Sequence, residues 1–182
     1  MARVFNHETL TTLAEHATIP VINGLCNLYH PCQILADLLT IQEHKGTLQG
    51  LKLAYIGDGN NVAHSLMIGC TKMGMDVSIV CPDAYRPNAE ITKKVEEIAQ
   101  TMGTKLEITS DIPAGVKEAD VVYTDTWISM GDESQKEVRL KAFKDFTVNK
   151  ELMAHAKPGA IFLHCLPAHR GYEVTDEVID SE

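Results

Sequence analysis

From residue 51 onward, apolar runs and amphipathic stretches alternate along the chain. The runs at 51–56, 77–80, 106–108, 121–123 and 161–163 are short, rich in Val, Ile and Leu, and predict buried strands. Between them, 62–73 and 89–102 carry apolar residues at helical spacing. Gly74 predicts the stop of the first, and Asn88 and Gly103 predict the N-cap and the C-terminal stop of the second. Strands alternating with helices of this length imply right-handed βαβ units. The expected fold class is therefore α/β, a doubly wound Rossmann-like parallel sheet with flanking helices.

Ahead of residue 51 the rhythm differs. Leu10, Leu13, Ala14 and Ala17 predict a helix over 7–17 that Pro20 stops. Val21 and Ile22 predict a short strand closed by Asn23-Gly24. A second helix opens at Pro31, with a stripe of Ile34, Leu35, Leu38, Leu39 and Ile41, and ends at Gly46.

The chain has 182 residues, 45% hydrophobic and 23% charged, which fits one globular domain of ~150 residues with part of another. No run approaches the ~18 apolar residues of a membrane span, and residues 1–7 hold no apolar signal-peptide core. A soluble, cytoplasmic protein with no membrane partner is expected. The formal net charge is −9, from 16 basic and 25 acidic residues. The basic residues are scattered, so no nucleic-acid partner is expected. Cys26, Cys32, Cys70, Cys81 and Cys165 show no CxxC or Cys/His zinc spacing, which predicts reduced thiols and no metal. Arg3, Arg86, Arg139 and Arg170 are few for a phosphate site.

Ligands of an open parallel sheet bind beyond the carboxyl ends of its strands. Three loops there are rich in polar groups: Gly57-Asp58-Gly59-Asn60-Asn61, Asp125-Thr126-Trp127-Ile128-Ser129-Met130-Gly131 and His164-Cys165-Leu166-Pro167. In the first, Gly57 and Gly59 suit a dinucleotide turn, but Val62 stands where the third glycine belongs. A plain tight turn, a nicotinamide site, and a site where the Asn61 amide holds a small polar substrate all stand open. In the second, the Asp125 carboxylate can pair with a substrate ammonium, or cap the next turn while Trp127 anchors the core. Cys165 is either a functional thiol at a strand end or a small buried hydrophobe. A fourth string, His30-Pro31-Cys32-Gln33, opens a helix whose unpaired N–H groups attract anions. Its His30 and Gln33 share one face, or else form an N-cap and a capping box.

Together with Pro20-Val21-Ile22-Asn23-Gly24-Leu25, these strings resemble the ornithine branch of the aspartate/ornithine carbamoyltransferase family over nearly the whole chain. The aspartate branch shares the first strings in looser form; the Ser-Met-Gly loop and the His-Cys-Leu-Pro turn mark the ornithine branch. The resemblance implies transfer of a carbamoyl group from carbamoyl phosphate to the side-chain amine of L-ornithine, giving citrulline and phosphate in arginine metabolism, without metal or organic cofactor. It implies that Arg3, His30 and Gln33 contact carbamoyl phosphate, Arg3 and His30 donating to the carbonyl oxygen as negative charge builds there. It places Asn61, Asp125, Ser129 and Met130 at the amino-acid end of ornithine, with Asp125 at the α-ammonium. Cys165 and the Leu166 carbonyl would face the reacting amine and the carbamoyl nitrogen. Catalysis would rest on orientation and electrostatics with no covalent intermediate, in a homotrimer.

Two features of the family do not occur in these 182 residues: its Ser-Thr-Arg-Thr-Arg phosphate loop and its late arginine. Residues 1–46 then read as the tail of the carbamoyl phosphate-binding domain with its connecting helix, and 47–182 as most of the ornithine-binding domain. The chain reads as a fragment, expected to be inactive alone, to bind ornithine weakly if at all, and to aggregate through bared apolar faces. Two other classes compete. A non-catalytic amino-acid-binding module is favoured by the missing phosphate loop, and an NAD-dependent dehydrogenase is disfavoured by Val62.

Overall fold

The computed structural model describes residues 1–129, 131 and 133–181. It begins with a small two-stranded parallel unit. β1 (Ala2–Arg3) is followed by α1 (His7–His16), β2 (Asn23–Leu25) and α2 (Pro31–Lys45), and β1 pairs with β2. The short strand lies two residues later than β-propensity placed it. The Ala2 N–H donates to the Ile22 carbonyl and the Val4 N–H to the Leu25 carbonyl, so the partner strand sets the position. Gly24 sits inside the strand because Met1 crosses it closely: a Cβ there would lie 3.1 Å from Met1 Cγ.

Proline at the first turn of α2 and Gly46 at φ 75° bound that helix as the sequence predicts. Its stripe divides in two. Ile34, Leu38 and Ile41 are buried, whereas Leu35 and Leu39 are 67% and 60% exposed. The buried row meets Gly69 of the next helix, where a Cβ would lie 2.7 Å from Ile34 Cγ2, so glycine is what lets the two helices approach.

The second unit runs β3 (Lys52–Ile56), α3 (Asn61–Lys72), β4 (Asp76–Val80), α4 (Ala89–Met102), β5 (Leu106–Thr109), α5 (Ile112–Val116), β6 (Val121–Thr124), α6 (Lys136–Phe143), α7 (Lys150–Met153), β7 (Ile161–His164) and α8 (Asp176–Ile179). Its five strands are parallel, in the order β5-β4-β3-β6-β7. Side chains alternate between the two faces. Leu53, Tyr55 and Tyr123 pack with α2, α3 and α4, while Ala54, Ile56 and Val122 pack with Trp127, Phe143 and Val174. Both faces are covered, which explains the continuous apolar runs. Among the described residues no helix is long and apolar enough to cross a membrane.

The chain runs outward from β3 in one direction through β4 and β5, then returns to the other side of β3 as β6 and β7. Strand order therefore reverses between β3 and β6. Ile56 pairs with Thr124 and Thr124 with His164, so the three polar loops leave the sheet at one level, on one edge.

Candidate functional site

A cleft of about 700 Å³ opens at that edge. Arg3, His30 and Gln33 enter it from the first unit, and Asn61, Asp125, Ser129, Cys165 and Leu166 from the second. Every expected site residue with a described position thus lines one cavity. Met130 lies outside the described residues.

His30 occupies the N-cap position of α2 but makes no side-chain cap bond. Its backbone N–H donates to Ser65 Oγ at 2.8 Å, and that hydroxyl donates to the Asn61 carbonyl, which ties α2 to α3. The His30 ring lines the cleft with its Nδ1 atom buried. Burial, then the nearby Arg3 charge, lowers the His30 pKa, with Asp125 and a backbone hydrogen bond to Gly24 opposing. The ring is therefore neutral near pH 7.

Gln33 does not form a capping box. Its Nε2 donates to Asp37 Oδ1 at 2.9 Å, and Asp37 Oδ2 accepts from the Tyr123 hydroxyl at 3.0 Å. With its N–H directed to Asp37, the Gln33 amide has its oxygen to offer as an acceptor. Burial raises the Asp37 pKa against the lowering effect of these two bonds.

The loop after β3 is shaped by its own chain. A Cβ on Gly59 would lie 2.2 Å from the Pro87 nitrogen, and the Gly59 N–H donates to the Tyr85 carbonyl. This glycine makes room for the Arg86-Pro87 backbone, not for a pyrophosphate. Asn60 caps α3 by accepting from the Val62 and Ala63 N–H groups. Its Nδ2 donates to Asp125 Oδ2 at 2.9 Å and more weakly to Ser129 Oγ at 3.4 Å. Asn61 donates to the Cys26 carbonyl at 2.8 Å, so its oxygen is the group left for a ligand.

Asp125 is the hub. Its Oδ1 accepts from the Cys165 thiol at 3.0 Å and from the Thr126 N–H at 2.7 Å. It caps no helix. Trp127 is the buried anchor the plain structural reading gives, stacked between Phe143 and Tyr172. Burial, followed by the Asp125 carboxylate, pushes the Cys165 thiol far above its ordinary value, so the sulfur is an S–H donor and not a thiolate.

Asp125, His164 and Cys165 present possible metal-ligand atoms within 4.8 Å of one another. Both ring nitrogens of His164 are engaged, Nδ1 with the Leu166 N–H and Nε2 with Glu173, so an ion there would have to displace a hydrogen bond. Sequence reasoning missed Asn60, Asp37 and Glu173. Of these, only Asn60 had a signal, its position at the start of a helix.

The other arginines are committed elsewhere. Arg139 is buried, 2.7 Å from Asp58 and bonded to the Trp127 carbonyl. Arg86 pairs with Asp83, and Arg170 with Asp176 and Asp180.

The family model described as aspartate/ornithine carbamoyltransferase, Asp/Orn binding domain, matches residues 49–182. The companion carbamoyl-P binding domain matches 1–43. Curated relatives include the anabolic ornithine carbamoyltransferase of Pyrococcus furiosus, 55% identical over 181 residues, which are 100% of this chain and 58% of that protein. The ornithine carbamoyltransferase of Thermococcus kodakarensis is 56% identical, again over 100% of this chain and 58% of its own length. The chain thus spans under two thirds of these relatives. Among solved structures, the P. furiosus ornithine carbamoyltransferase superposes with a TM-score of 0.94 at 55% identity, covering 98% of this chain and 57% of that one. The Gloeobacter violaceus ornithine carbamoyltransferase gives a TM-score of 0.91 at 45% identity, covering 98% and 60%.

Proposed function

Because the chain belongs to the aspartate/ornithine carbamoyltransferase family, we propose that its cleft is the ornithine pocket and part of the carbamoyl phosphate site of an ornithine carbamoyltransferase. One observation carries the reading: Arg3, His30 and Gln33 converge with Asn61, Asp125, Ser129 and Cys165 on a single cavity. In the division that goes with it, residues 1–46 supply the carbamoyl phosphate side and 47–182 the ornithine side.

The chemistry follows from the donors present. The neutral ornithine amine attacks the carbamoyl carbon, the C–O bond to phosphate breaks, and the amine proton leaves with the departing phosphate. Arg3 and the neutral His30 donate to the carbonyl oxygen, where negative charge builds. The Gln33 oxygen and the Leu166 carbonyl accept from the carbamoyl nitrogen. Asp125 and the Asn61 oxygen receive the α-ammonium, and Ser129 completes the amino-acid end. A protonated Cys165 positions the reacting groups and forms no thioester. The homotrimer and the cytoplasm are the assembly and location that go with this reading, checked by light scattering of the purified protein and by fractionation of the source cells.

The test is a titration of the ¹⁵N-labelled 182-residue chain with millimolar L-ornithine, L-aspartate and NAD in turn. Ornithine is expected to shift the resonances of Asn60, Asn61 and Ser129, with aspartate and NAD without effect. Shifts from aspartate equal to those from ornithine, or ornithine shifts confined to residues outside the cleft, would remove the assignment.

A further inference from the structure

Beneath the His-Cys-Leu-Pro turn lies a buried pair that the proposed reaction does not use. Glu173 is fully buried and the His164 ring nearly so. His164 Nδ1 accepts from the Leu166 N–H at 2.8 Å, so the ring proton sits on Nε2, which donates to Glu173 Oε1 at 3.2 Å. The same carboxylate oxygen accepts the backbone N–H of His169, on the far side of the turn. One carboxylate therefore grips both ends of the segment that carries Cys165 and Leu166.

That segment needs gripping. Leu166 has φ 56°, a left-handed conformation that is strained for a non-glycine residue and persists only where its surroundings over-determine it. The Leu166 N–H is the atom that His164 holds. Glu173 also keeps Oε2 buried with no partner among the described residues, an arrangement that apolar packing would improve upon if stability alone were at stake.

We infer that Glu173 and His164 are positioning residues: the carboxylate fixes the His164 tautomer, and the imidazole holds Leu166 left-handed so that the Cys165 thiol meets Asp125. The inference rests on the proposed reading of the cleft only for its consequence, the presentation of Cys165 and the Leu166 carbonyl to the reacting groups. The geometry itself stands apart from any ligand.

Long-range ¹H–¹⁵N spectra of the 182-residue chain should show His164 protonated at Nε2 and bare at Nδ1. In Glu173→Leu, which removes the acceptor shared by His164 and the His169 N–H, iodoacetamide alkylation of Cys165, followed peptide by peptide in a mass spectrometer, should rise about tenfold, while buried Cys70 and Cys81 keep their rates. Adding Leu166→Gly, which adopts the left-handed conformation without strain, should bring the Cys165 rate back toward that of the unsubstituted chain. A merely structural role would raise all cysteine rates together and show no rescue. Should Glu173→Leu not fold, His164→Phe removes the acceptor for the Leu166 N–H and the donor to Glu173 together and carries the same expectation. An Nδ1-protonated His164, an unchanged Cys165 rate in a folded variant, or a rise shared by Cys70 and Cys81 would overturn the assignment. None of these measurements uses ornithine. A chain that gives them yet fails the ornithine titration refutes the proposed activity and keeps the pair, and the converse removes the pair alone.

Discussion

Asp125 joins three structural bonds to its proposed contact with substrate, and the two roles separate under mutation. Asp125→Asn keeps the shape but loses the charge that Cys165, Asn60 and the Thr126 N–H now meet. Loss of a charge-assisted contact to the α-ammonium should weaken ornithine binding about ten- to a hundredfold in an NMR titration. Stability should fall by about 1–3 kcal/mol in urea unfolding at pH 7, because both carboxylate oxygens accept from donors and the one replaced by NH2 leaves its donor unpaired. Unchanged ornithine affinity with the full loss of stability would reduce Asp125 to a structural hub. At this scale the sequence named Asp125, Cys165, His30 and Gln33 through motif and loop position. It was blind to Asp37, which meets Tyr123 86 residues away, and to Glu173, which meets His164 and His169 only because the intervening turn folds back on itself.

Between elements, His64 is a clip. It sits on α3 with 4% exposure; Nδ1 donates to the Leu28 carbonyl in the loop before α2, and Nε2 accepts from the N–H of Asn88, the cap of α4. Such a ring must be neutral, and burial lowers its pKa against the opposing pull of the Leu28 carbonyl. A folded-state value below the unfolded one means that stability from this group is present above about pH 6.5 and is lost as pH falls through the folded value. His64→Leu should therefore cost about 2–3 kcal/mol at pH 7 through two unpaired backbone groups, and should flatten the loss of stability between pH 7 and pH 5. Urea unfolding at both pH values checks the pair of effects, and a variant with an undiminished acid limb would assign that limb to other groups. Long periodic elements were legible here: α4 has the cap, stop and bounds its pattern predicts. α5, α7 and α8, at five residues or fewer, offer too little periodicity to read. β1 escaped because a two-residue strand is defined by its partner, and Leu35 and Leu39 show that an apolar stripe does not say which of its rows is covered.

On the scale of the whole molecule, charge decides what the cleft can do. Carbamoyl phosphate brings a dianionic group, and a site that sheds water must replace that hydration with several charge-assisted donors. Of the four arginines only Arg3 lines the cleft. Arg139 is buried against Asp58, and Arg86 and Arg170 are paired at the surface. His30 is held neutral, and the formal net charge of −9 repels anions at long range. The α2 N-terminus adds a fractional positive charge, which helps one anion contact but does not neutralise two charges. These 182 residues, purified alone, are therefore expected to bind ornithine weakly and to form no citrulline from ornithine and carbamoyl phosphate. Adding salt should change ornithine binding little, since Asp125 is buried and poorly screened. The measurement is a colorimetric citrulline assay on a preparation whose mass confirms the 182-residue chain. Sustained citrulline formation by that preparation would mean that Arg3, His30 and the helix terminus suffice for the phosphate, and that the charge argument underrates them.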